Sequence, residues 1–186
     1  ATLFQRKLIE NPTIKNRFIN QIADLLNTNF TSTRVVNVIN TLANHISSDI
    51  TRHRTKWNIY GENTDKMTTF AQQRPAYLRT HVRSYFGCGK DGTLTVNATE
   101  GGSVQLNTLE LQSADLPFSG IYFQGNAVHL KAIPAPGYVF ASWTGALTSD
   151  EYSVTFSVGN TSSITATFSP DTSLVKDIVI NEIHYN

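Results

Sequence analysis

The stretch Tyr85–Leu94, "YFGCGKDGTL", decides how this chain is organised. Gly87, Gly89 and Gly92 stand at the spacing G-x-G-x-x-G, with Cys88 and Lys90 between them. A phosphate cradle of that spacing needs a strand before the glycines and a helix after them, so that free helical amides face the charge. Here the order is reversed: a helical pattern ends at Phe86 and alternating, strand-like sequence begins at Thr93. Gly87 then reads as a helix C-terminal glycine, and residues 89–92 as a glycine-rich hinge. Cys88 has no base tied to it by sequence and reads as a bystander.

Upstream of the hinge the apolar residues recur at three- and four-residue steps. In "NPTIKNRFINQIADLLNTNF" (11–30), Asn11 is a helix cap and Pro12 a favoured first residue. Ile14, Phe18, Ile22, Leu25 and Leu26 form its apolar face. Leu3, Phe4, Leu8 and Ile9 fit a short helix before it. "TSTRVVNVINTLANHISSDITRHRTKW" (31–57) reads as one long amphipathic helix capped by Thr31 or Ser32, with Val35, Val38, Ile39, Leu42, Ile46 and Ile50 on one side. A last helical region follows Asn63 and Thr64 and runs to Phe86, kinked or restarted at Pro75.

Downstream the period is two. "GTLTVNAT", "GGSVQL", "GIYFQGNAVHLKAIP", "GYVFASW", "EYSVTFSV" and "SSITATFSP" are short alternating runs divided by turn residues. Strands in series with no helix between them imply an antiparallel, all-β domain. The predicted fold is therefore multidomain: an α-helical bundle over 1–88, a hinge over 89–92, and a small all-β domain over 93–170. A sandwich-like arrangement is the first expectation for the β domain and a β-grasp-like sheet the second. Residues 171–186 read as a linker plus the first strand of a truncated third domain, and both chain ends read as cut. The strand over 177–185 is expected to dock on the β domain or to pair with another molecule.

Charge divides at the same place. Residues 1–88 carry twelve Lys/Arg against five Asp/Glu, a net of +7, and residues 89–186 carry three against nine, a net of −6. Opposite signs favour contact between the halves or with a partner. One cysteine excludes an internal disulfide. No apolar run approaches the ~18 residues of a membrane span.

Two resemblances follow from these segments. "LFQRKLIENPTIKNRFINQIADLLNTNF", "RVVNVINTLANHISSDITRHRTKW" and "FAQQRPAYLRTHVRSYFG" resemble, in order and spacing over residues 3–87, the C-terminal helical part of the spore-coat protein H (CotH) kinase-like family. That resemblance implies a secreted or surface-exposed bacterial kinase of atypical fold, passing phosphate from ATP to serine on extracytoplasmic proteins. The family's nucleotide- and metal-binding acidic residues lie upstream of this segment. No position here takes those roles, so ATP and Mg belong to the parent kinase and no catalytic, cofactor or metal residue is expected in this chain. Residues 93–169 resemble the divergent InlB B-repeats of bacterial surface proteins, carried by "GGSVQLNT", "GNAVHLKAIPAPGYVFASWTG" and "SSITATFSP", with Leu109–Phe118 as an insertion. "IVINEIHYN" is similar to the opening strand of a lamin-tail domain. The series implies a structural or spacer piece of a long secreted or cell-surface protein. Its expected partners are the upstream kinase domain and the downstream lamin-tail-like domain.

Several clusters were weighed for chemistry. His45, Asp49 and His53 stand four apart on the long helix and could hold zinc, although Arg52 and Arg54 beside them oppose a cation. Arg52, His53, Arg54 and Lys56, with Arg79 and Arg83, form a basic set without a nucleic-acid module around it. Trp57, Arg52 and Arg54 read instead as contacts to the kinase portion. Tyr138, Phe140 and Trp143, with Tyr122 and Phe123, could make an aromatic platform for a glycan, giving an adhesin-type alternative. A small β domain, however, needs such rings for its own core. Asp150 and Glu151 are adjacent, so they point apart in a strand and suit paired acid–base work poorly. "TSDEY" reads as a hairpin turn.

Overall fold

The computed structural model describes residues 3–59 and 64–174. The strand expected over 177–185 and the lamin-tail resemblance lie outside the described residues. Five helices come first: α1 (Leu3–Glu10), α2 (Pro12–Asn27), α3 (Ser32–His45), α4 (Ser47–Trp57) and α5 (Asp65–Phe86). Eight strands follow: β1 (Asp91–Ala98), β2 (Gly102–Leu106), β3 (Leu109–Leu111), β4 (Phe118–Phe123), β5 (Ala127–Pro134), β6 (Tyr138–Gly145), β7 (Ser153–Ser157) and β8 (Thr161–Pro170). Helices then strands is the order that the glycine-rich stretch implied.

The helix ends follow local chemistry. Asn11 caps α2, its side chain accepting from the amides of Thr13 and Ile14, and Pro12 takes the first turn, where its missing N–H costs nothing. Gly87 ends α5 at φ 68, a left-handed position open to glycine without strain. Two expectations need correction. The long helix over 31–57 is two helices, broken at Ile46, where the Ser47 hydroxyl takes the Asn44 carbonyl at 2.8 Å and competes with helix continuation. Conversely, α5 neither stops nor restarts at Pro75. Packing of α3 along α5 outweighs a local cost of about 3 kcal/mol.

The described residues gather into two units, the first comprising 3–59, 64–93, 120–127 and 157–161, and the second 94–119, 128–156 and 162–174. The first unit therefore contains the helices and also the connection between β4 and β5. At the helix–strand junction, Gly89 N–H donates to Gln124 O at 2.8 Å and Gln124 N–H to Lys90 O at 2.9 Å. A Cβ on Gly89 would press on Gln124, and one on Gly92 would overlap the Gly159 carbonyl. Close backbone approach is what these two glycines permit.

The strands make two four-stranded sheets, ordered β4-β1-β8-β6 and β3-β2-β5-β7. Antiparallel pairing sets Val104 opposite Ala132 and Leu111, and Trp143 opposite Ala166. Alternate residues are buried along β1, β2, β5 and β8, as a one-faced sheet requires. Gly102 of one sheet lies so close to the Phe168 ring of the other that a Cβ would enter the ring. The inner faces thus meet as in a sandwich. The short β3, within the stretch expected as an insertion, pairs with β2 through a turn at Asn107, which has φ 49. A bulge between Phe140 and Ser142 resets the alternation of β6, so Phe140 and Trp143, three apart, are both buried.

Candidate functional site

The densest set of specific side-chain contacts in the first unit is a polar seam along α2. Asn16, Asn20, Asp24 and Asn27 stand four, four and three residues apart, so they share one helical face. Opposite them lies the connection between β4 and β5. Asn27 grips the main chain of one residue twice: its Oδ1 accepts from Ile121 N–H and its Nδ2 donates to Ile121 O, each at 3.0 Å. Arg79 on α5 donates to the same Ile121 carbonyl at 3.0 Å and to Asn27 Oδ1 at 2.9 Å. Asn16 and Asn20 both donate to Ala127 O, at 3.0 and 2.8 Å. Asn126 donates to Asn20 Oδ1 at 2.7 Å, and Tyr122 Oη donates to Asp24 Oδ1 at 2.9 Å.

The seam is dry. Asn20, Asp24, Arg79, Asn126, Tyr122 and Phe123 are all buried. Burial pushes the Tyr122 phenol far above its usual range, and the neighbouring Asp24 adds to the shift. Burial also draws the Arg79 guanidinium down, opposed by Asp91. Arg79 stands 5.9 Å from the centre of the Phe123 ring, within cation–π range. In a low-dielectric site each satisfied donor matters because leaving it unmade costs more than making it gains. The chemistry here is recognition of backbone amides and carbonyls by carboxamides and a guanidinium.

This arrangement shifts the face expected of α2, of which Leu26 is buried and Ile22 and Leu25 are half-buried. Its buried residues are Ile19, Asn20, Ala23, Asp24 and Leu26. Ile14 and Phe18, assigned to the apolar face, are 39% and 44% exposed. They instead line an apolar groove of about 520 Å³ with Leu8, Ile22, Leu78 and Phe86. Phe18 and Phe86 meet edge-on at 5.8 Å, and Lys15 stands over the Phe86 ring at 5.9 Å. On α3 only Ile39 is buried, while Val38, Leu42 and Ile46 form an exposed apolar row. Met67, Phe70 and Tyr77 on α5 are exposed as well.

The residues singled out by sequence take varied places. Arg52 and Trp57 are exposed on α4, Arg54 is half-buried, and Lys56 Nζ stands 5.2 Å from the centre of the Trp57 ring. Arg79 leaves the basic set for the seam, and Arg83 pairs with Asp91 at 3.5 Å. His45, Asp49 and His53 do not share a helix: the break at Ile46 leaves His45 on α3 and the other two on α4. Among the described residues no cluster of His, Cys, Asp or Glu converges as a metal site. Burial raises the Cys88 thiol, with Lys15 opposing.

In the second unit, Phe140 and Trp143 come together at 5.4 Å, and Phe140 also meets Tyr152 and Phe168. Trp143 is fully buried, its indole N–H donating to Glu151 O at 3.0 Å. Tyr138 is half-buried, with its ring against Gly101. These rings form a core cluster, and Ser149 to Glu151 turn beneath it. Asn16, Asn20, Asp24, Asn27 and Asn126 were not singled out by sequence. Their signal was present: a row of short carboxamides and a carboxylate at helical spacing, free of the Lys and Glu that mark a solvated face.

Two family models match the chain. Residues 1–78 match the family model described as CotH kinase protein, and residues 92–172 match the model described as Divergent InlB B-repeat domain. No curated protein and no solved structure matches the chain significantly. The chain thus joins a CotH-type helical segment to an InlB-type β repeat.

Proposed function

We propose that this chain is a non-catalytic structural piece of a CotH-related surface protein. The helices brace a kinase-like domain, and the repeat spaces that domain from later modules. The observation that carries this reading is the exposed apolar surface of the helices among the described residues. Phe70 and Leu42 are 62% and 60% exposed, a costly display for side chains each worth about 1.5–3 kcal/mol when buried. Such rows suit a seat for the remainder of the kinase-like domain, which the match to residues 1–78 covers only in part. ATP, Mg and transfer to serine on extracytoplasmic proteins would then belong to that remainder. A secreted or cell-surface setting accords with both matched families. Among the described residues no helix is long and apolar enough to cross a membrane. The glycan-binding alternative has no observation in its favour, since Phe140 and Trp143 are used in the core.

Calorimetric titration of the chain with Mg-ATP tests the reading. No heat of binding is expected, and micromolar affinity would overturn it.

A further inference from the structure

We infer that the β4–β5 connection, the turn by which the chain passes from one sheet to the other, is a strap that completes the helical unit, so that the CotH-type segment depends for its packing on residues within the span matched to the repeat. The two family matches divide the chain between residues 78 and 92, yet Gly120–Ala127 clusters with the helices. Three features make the connection part of that fold. It satisfies polar groups that α2 and α5 bury: Asn20, Asp24 and Arg79 each have a hydrogen bond to it. Without it, Asn20 and Arg79 would lose these bonds and lie open to water beside Ile19 and Ala23, which are themselves buried. Phe123 also supplies a buried ring under the Arg79 guanidinium. Finally, the contacts come from two helices, α2 and α5, with Arg79 and Asn27 bonded to each other and both to Ile121. The strap therefore ties the two helices together at a single peptide group.

The test is amide hydrogen exchange on the full chain, comparing the unaltered protein with Tyr122→Phe and Asn126→Ala. Tyr122→Phe keeps the ring and removes only the hydroxyl, so the fold survives even if the harsher Asn126→Ala does not. If the β4–β5 connection straps the helices, amides of Ile19–Leu26 and Leu78–Val82 exchange about tenfold faster or more in the variants, because their opening is coupled to that of the connection. The reciprocal variant Asn27→Ala speeds exchange in residues 120–127. Acceleration of Tyr122→Phe confined to residues 120–127, with α2 and α5 unchanged, would overturn the inference.

Discussion

Tyr122 Oη donates to Asp24 Oδ1 at 2.9 Å, joining strand β4 to helix α2 across 98 positions of sequence. The phenol is buried, and its neutral form is the one the site accommodates. That single pair fixes how stability should respond to alkali.

Because the folded pKa of Tyr122 is raised, its contribution is fully present below the unfolded value of about 10 and is lost as pH climbs towards the folded value. Between those two values the unfolded chain releases a proton that the folded chain keeps, so this site weakens the fold by up to about 1.4 kcal/mol per pH unit. Urea melts at rising pH should show a fall in stability that is shallower in Tyr122→Phe than in the unaltered protein, by about half a proton averaged over pH 9 to 11 and by nearly one proton above that range. Parallel slopes would remove the phenol from the account.

Asn27→Ala strips Ile121 of two bonds and Arg79 of one. A loss of about 1 kcal/mol is expected, the net worth of hydrogen bonds at a half-exposed position together with the part-buried bond to Arg79. It should appear as a lower urea midpoint at constant m. A midpoint unchanged within error would mean that water replaces the side chain freely.

Trp143 and Trp57 should report separately in fluorescence. Trp57 is 59% exposed and Trp143 is closed off. Acrylamide should quench one emitting population and spare a blue-shifted one that disappears in Trp143→Phe. Trp143→Ala should cost about 3–5 kcal/mol, as loss of a large core ring does. Quenching of both indoles alike would reopen the idea of an accessible aromatic platform.

The exposed rows on α3 and α5 should capture an apolar dye such as anilinonaphthalene sulfonate in the folded protein. The double variant Leu42→Ser, Phe70→Ser should lose most of that signal while its melting midpoint moves by less than the equivalent of about 1 kcal/mol, as surface substitutions do. A large drop in midpoint would show that these side chains already have a partner within the chain.

Local signals read directly from the sequence were those set by a few neighbouring residues. Asn11–Pro12 announced α2, Gly87 closed α5, and alternating Val, Ile and Thr marked most of the strands, although β3 and the division between β4 and β5 were not read. The break at Ile46 was hidden because its apolar spacing continues through the Ser47 back-bond. At Pro75 no restart occurs, since packing overrode propensity. The buried face of α2 was read only in part for a physical reason: its period names an apolar stripe, while the protein buries the adjoining carboxamide row against the β4–β5 connection about a hundred residues downstream. Nothing within one helix reveals a partner so remote. The bulge in β6 likewise put Trp143 inside against simple alternation.

Asn27 holds residue 121 by its main chain, and the Ile121 side chain is 41% exposed. A clasp that reads only the peptide group is indifferent to the letter written there. Mutational drift at position 121 therefore leaves the clasp intact wherever the strand keeps its path. Over evolutionary time, one repeat could be exchanged for another of the same backbone shape without rewriting that part of the helix that receives it.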